Sequence, residues 1–157
     1  MPVYVAVVGP ADASPAECEH AYEVGRLLAE RGAVVVTGGL GGVMAAASRG
    51  CADAGGISVG VLPSADRASG NDHLTVALAT GVGELRNGLV VRSADAVIAI
   101  GGSWGTLSEV ALAMRTDVPV VSIAGWAVTD AHGYPVALEA AATPAQAVEW
   151  VRAQLGG

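Results

Sequence analysis

The sequence predicts a doubly wound α/β sandwich, a mostly parallel sheet with helices on both faces, Rossmann-like and built as one domain over residues 1–157. Three observations predict it. Short apolar runs alternate with helix-patterned segments along the whole chain. The runs are continuous rather than alternating, as strands covered on both faces require. No repeat, linker or charge block divides the 157 residues, a length that suits a single core.

The elements follow in order. Val3 to Gly9 is an apolar, β-branched run and reads as a buried strand. Ser14-Pro15-Ala16-Glu17 combines an N-cap, a proline at the first helical position and a capping-box glutamate. The helix it opens runs to about Arg31, with Ala21, Val24, Leu27 and Leu28 on its apolar face and Gly32 at its end. Val34 to Thr37 is the second strand, followed by Gly38 to Gly42 and a small-residue helix from Val43 to about Ala54. Ile57 to Leu62 is the third strand, stopped by Pro63. Ser64 to Asp72 is polar and reads as a mobile flap, and Leu74 to Leu78 as a short strand. Gly83 to Ala94 has helical spacing at Leu85, Leu89 and Val90. Asp95 to Ile100 is the next strand, a helix carries Glu109, and Pro119 to Ile123 is another strand. Beyond a loop from Gly125 to Tyr134, an extended piece is expected near Val136 to Leu138. Thr143-Pro144-Ala145-Gln146 then caps a last helix.

Composition narrows the function. All eight basic residues are arginine; the chain has no lysine. That excludes a Walker P-loop and a lysine Schiff base, and so a pyridoxal-phosphate lysine decarboxylase. The net charge of −7 speaks against a grip on DNA or RNA, so no nucleic-acid partner is expected. No apolar run approaches eighteen residues and the N-terminus has no charged leader, so no membrane partner and a cytoplasmic location are expected. Cys18 and Cys51 read as small buried thiols. His20, His73 and His132 have no ligand spacing, so no metal is expected.

In doubly wound sheets ligands sit beyond the carboxyl ends of the strands. Three turns are expected to converge there. They are Gly9 after the first strand, Gly38, Gly39 and Gly42 after the second, and Gly101-Gly102-Ser103-Trp104-Gly105-Thr106 after the Asp95 strand. The last runs straight into a helix, whose N-terminal amides suit an anion such as a phosphate. Thr106 can add a hydroxyl, and Glu109 falls in the first turn of the same helix. Trp104 is open to two readings, lining a base or pterin pocket or packing at a subunit interface. Glu109 and Arg86 are likewise open, either to chemistry or to a structural pairing at a helix start. The dinucleotide fingerprint GxGxxG is missing after the first strand and no acid ends the second, which speaks against an NAD-dependent dehydrogenase.

Several motifs together resemble one family. Gly102-Ser103-Trp104-Gly105-Thr106-Leu107-Ser108-Glu109 resembles the PGGxGTxxE motif of the Lonely Guy phosphoribohydrolases, often mislabelled as lysine decarboxylases. Thr37 to Met44 resembles their GGGxxGLM turn, which adds Met44 to the candidate binding residues. Gly55 to Pro63 resembles their third strand, and Arg86 stands where they carry an arginine. Gly101, Ser103 and Asn87 depart from the pattern. They are similar to a sister group that includes molybdenum-cofactor carrier proteins. The resemblance implies a nucleoside 5′-monophosphate phosphoribohydrolase with AMP or a cytokinin-type substrate, an N-glycosidic hydrolase using Arg86 and Glu109 as catalytic residues. The alternative it implies is a non-catalytic carrier or sensor of a phosphorylated ligand such as molybdenum cofactor. No cofactor is required; a bound phosphate, AMP-like nucleotide or molybdopterin is the expected guest, in a homodimer or homotetramer.

Overall fold

A seven-stranded sheet, parallel throughout, carries the molecule in the computed structural model, which describes residues 1–157. The strands are β1 (Tyr4–Val8), β2 (Val34–Thr37), β3 (Ile57–Leu62), β4 (Val76–Ala79), β5 (Ala96–Ile100), β6 (Val120–Ile123) and β7 (Glu139–Ala141). The helices are α1 (Pro15–Glu30), α2 (Val43–Asp53), α3 (Arg86–Arg92), α4 (Trp104–Arg115) and α5 (Pro144–Gln154). The sheet order is β4-β3-β2-β1-β5-β6-β7. The chain therefore winds outward from β1 to one edge, returns to the centre at β5, and winds to the other edge. The reversal places a topological switch between β1 and β5.

Strand parity sorts the core into two halves. Val5, Val7, Val35, Ile98, Ile100, Val121 and Ile123 point to the face covered by α1, α2 and α5. Ala6, Val8, Val36, Val97, Ala99 and Val120 point to the face covered by α3 and α4. Both sets are buried, which explains why these strands read as unbroken Val/Ile runs.

Helices α1 and α2 lie against each other through glycine. A methyl group at Gly25 would overlap the Ala47 carbonyl oxygen, and one at Gly50 would overlap that of Tyr22. The predicted caps are in place. Ser14 Oγ accepts from Glu17 N (3.2 Å) while Glu17 Oε1 accepts from Ser14 N (3.1 Å). Thr143 Oγ1 accepts from Gln146 N (3.2 Å).

Three expected elements shift. The fourth strand is Val76–Ala79 rather than Leu74 to Leu78, because Thr75 is held by Ser58 and pairing with β3 begins one residue later. Strand β7 is Glu139–Ala141, while Val136 instead bonds back to Val128 in the preceding loop. The Gly83–Leu85 segment is a 3-10 turn, so α3 starts only at Arg86.

Both cysteines are free thiols. Cys51 is buried as expected, and burial pushes its thiol up to about 11; Cys18 is only half-buried, since it stands off the buried face of α1. A thiol reagent is expected to titrate one cysteine in the native protein and two after denaturation. Cys18→Ser should abolish the native reaction; a native reaction surviving it would contradict the packing of Cys51. No helix is long and apolar enough to cross a membrane.

Candidate functional site

A cavity of about 740 Å³ opens at the carboxyl end of the sheet beside the switch point. Its walls come from both windings of the chain. Gly9 and Ala11 follow β1, Leu40 and Met44 surround the turn after β2, and Pro63 follows β3. The opposite wall is Glu84 to Gly88 at the start of α3 and Ser103 to Thr106, Ser108, Glu109 and Leu112 from α4. Of the sequence-predicted residues, Gly9, Met44, Arg86, Ser103, Trp104, Gly105, Thr106 and Glu109 line it.

The other predicted glycines stand beneath that lining, and protein atoms crowd them. Gly38 passes under Arg86 and Met44, where a methyl group would lie 2.8 Å from an Arg86 terminal nitrogen and 2.7 Å from Met44 Sδ. Gly39 (φ +79°) packs on Leu62 and Gly60. Gly42 (φ +59°) starts α2 against the carbonyls of Pro10 and Ala11. Gly101 (φ +67°) lies against the Glu17 carboxylate, and Gly102 against the Trp126 ring. Gly105 differs: nothing stands nearer to its missing side chain than Ser103 Oγ at 3.8 Å.

The N-terminus of α4 is partly closed on itself. Ser103 Oγ accepts from Thr106 N (3.2 Å) and shares a hydrogen bond with Thr106 Oγ1 (2.9 Å). The Thr106 hydroxyl is thus engaged within the turn and is 99% buried, being 1% exposed. The amides of Trp104 and Gly105 have no acceptor, as is general for the first positions of a helix. Trp104 is 79% exposed, and its ring rests on Trp126 with centroids 5.2 Å apart. Trp126 is fixed in turn by donating from Nε1 to Ser103 O (3.1 Å).

Arg86 and Glu109 are the charged pair of the cavity, only 8% and 6% exposed. Glu109 stands in the second turn of α4 rather than the first, because the helix already begins at Trp104. They make no ion pair within 4.0 Å; the ion pairs of the molecule belong to Arg26, Arg31 and Arg152. The Arg86 side chain donates to Asn87 Oδ1, and its Nε is buried without any partner. Burial pulls the Arg86 pKa down, against the attraction of Glu109 and Glu84. Burial raises the Glu109 carboxyl from the usual 4.5 to about 7, and the Arg86 charge offsets only part of that. The structural pairing considered from sequence is therefore not a closed salt bridge but two desolvated charges facing shared space.

The sequence pattern of the SLOG cluster4 family matches residues 2–148. The chain belongs to this family. The molybdenum cofactor binding protein from Rippkaea orientalis superimposes with a TM-score of 0.89 at 34% identity, covering 99% of this chain and 98% of that one. The molybdenum cofactor carrier protein from Chlamydomonas reinhardtii superimposes at 0.85 with 30% identity over the whole of both chains. An uncharacterised protein of Archaeoglobus fulgidus is 40% identical over 119 residues, 76% of this chain and 78% of its own length.

Some residues of this SLOG cluster4 domain were not legible as site residues. Leu40, Pro63, Leu85 and Leu112 carry no chemical signal in sequence, and Glu84 is one acid among many; only the folding of five strand ends to one edge brings them to the wall. Asn71 lies outside that lining and ties a neighbouring loop to it. Its side chain donates to Leu40 O (3.0 Å) and Gly39 O (3.3 Å), and its own amide donates to Gly39 O (2.9 Å). The segment expected to be a mobile flap is thus clamped to the turn after β2. An Asn in a polar loop gives no hint of that in sequence, since its acceptors lie about thirty residues away.

Proposed function

We propose that this protein binds and holds a phosphorylated pterin-type cofactor, of the molybdopterin kind, without transforming it. The observation that carries the reading is the buried, unpartnered Nε of Arg86 in a cavity that also receives the free first amides of α4. An orphaned buried donor costs about 1–3 kcal/mol, which a bound acceptor would relieve. The helix terminus favours a phosphate, and the exposed Trp104 indole at the rim offers a flat face to a ring system. The volume falls within the usual range for small-molecule sites. The two cofactor proteins that superimpose over nearly the full chain support the same reading. In it, Gly105, Trp104 and Ser103 hold the phosphate, with Gly9 and Met44 on the opposite wall and Gly38, Gly39, Gly42, Gly101 and Gly102 shaping the turns beneath.

The test is retention. Molybdenum cofactor released from a molybdoenzyme should co-elute with the protein on gel filtration, followed by pterin fluorescence. Arg86→Ala is expected to weaken retention by about tenfold or more, since a hydrogen bond to a charged group is worth about 1.5–3 kcal/mol. Free elution of the cofactor beside the native protein rejects the reading.

A second reading, a 5′-monophosphate phosphoribohydrolase, rests on one observation: Glu109 and Arg86 are both buried and both reach the cavity. A carboxylate there would stabilise an oxocarbenium-like transition state. Incubation with AMP and with a cytokinin-type monophosphate tests it. Free base released by the native protein and not by Glu109→Ala would establish it; equal traces from both would dismiss it.

A further inference from the structure

We propose that Glu109 and Arg86 together read the lactam edge of the guest's ring, a ring N–H and a 2-amino group beside a ring carbonyl, as found in a guanine or a pterin. The inference rests on the binding reading above and names what this corner of the cavity selects. Glu109 is a buried carboxyl with no hydrogen bond and no ion pair within the chain. Arg86, equally buried, leaves its Nε without an acceptor. Both line one cavity, from different helices.

The chain therefore brings an acceptor lacking donors and a donor lacking an acceptor to the walls of one cavity. A guest that satisfies both must offer N–H groups to the carboxylate and an oxygen to the guanidinium, side by side. A lactam edge with a 2-amino group does so: its two N–H groups match the two carboxylate oxygens, and its carbonyl faces the arginine. An adenine edge offers one amino group, and its ring nitrogen would set a lone pair against the carboxylate. Leaving buried polar groups unpaired is what makes a site reject the wrong edge.

GMP and AMP share the ribose 5′-phosphate and differ at this edge, so they serve as probes. Calorimetric titration at pH 8, where Glu109 is mainly ionised, should give GMP an affinity about tenfold or more above AMP. In Glu109→Gln the GMP-to-AMP ratio should fall toward one. The ratio is internal to each variant, so a general loss of affinity leaves it unmoved. Equal binding of the two nucleotides by the native protein, or a ratio unchanged in Glu109→Gln, overturns the proposal. So does the failure of both nucleotides to bind. If isolated molybdenum cofactor is retained while GMP and AMP bind equally, the edge assignment falls and the binding function stands. If the cofactor is not retained either, the reading beneath it falls too.

Discussion

Glu109→Gln is expected to raise the unfolding free energy by about 3 kcal/mol at pH 8 and to change it little at pH 4. The native carboxyl titrates at about 7 instead of 4.5 because burial penalises its charge. The folded state therefore holds a proton that the unfolded state has released between these two values. For such a group, stability is greatest below 4.5 and is lost as pH rises toward 7. Above 7 the folded protein carries the full penalty of a desolvated carboxylate, and glutamine, which resembles the protonated acid, does not. The attraction of Arg86 is already contained in the net shift. For a chain of this length the gain at pH 8 corresponds to about 6–12 °C in melting temperature. Thermal denaturation of both proteins at the two pH values checks it, and parallel stability curves would refute it. The same substitution should impair guest recognition, which makes Glu109 a place where stability is given up for function.

Gly50→Ala is expected to destabilise the protein by about 2 kcal/mol, or roughly 4–8 °C. The added methyl overlaps the Tyr22 carbonyl, a backbone atom with no rotamer to yield, so α1 and α2 must separate. Alanine gains about 1 kcal/mol in helix propensity over glycine, which offsets part of the strain. Gly25→Ala meets the Ala47 carbonyl in the same way. Because either change drives the same two helices apart, the double variant should lose less than the sum of the single losses. Urea unfolding of the three variants measures this. Strict additivity would mean that the two contacts yield independently and that the helices do not move as bodies.

How much of this was legible in the sequence depends on what each element contacts. Strands β1, β2, β3, β5 and β6 were readable because most of their residues are buried and their runs are correspondingly Val/Ile-rich. The edge strand β4 is apolar (Val-Ala-Leu-Ala) yet largely exposed, and its start was expected two residues early; the three-residue β7 is also largely exposed and has no apolar run. The capping box of α1 and the Thr143 N-cap of α5 announced those helices, whereas α3 has no side-chain cap and starts three residues later than expected. At the site, the glycines showed where the backbone needs freedom but not for whose sake. Gly42 and Gly101 yield to the protein's own carbonyls and carboxylate, while Gly105 yields to open space. One letter in the sequence covers both situations. The missing partner of Arg86 Nε is likewise a property of three-dimensional burial that residue order does not encode.

The central position of β1 bears on how the chain matures during synthesis. Its first neighbour arrives about thirty residues later, with Tyr4 beside Val34, but its second, β5, arrives only with Ala96. Until then the nascent half-sheet has one raw margin at β1, with unmet amides and carbonyls and the apolar side chains of Val5 and Val7 incompletely covered, the kind of margin that invites pairing with a stranger. Long-range closure of this sort is slow. Gly9, Met44 and Arg86 emerge before β5 and Glu109 after it, so the cavity is completed only when the two halves zip together along β1.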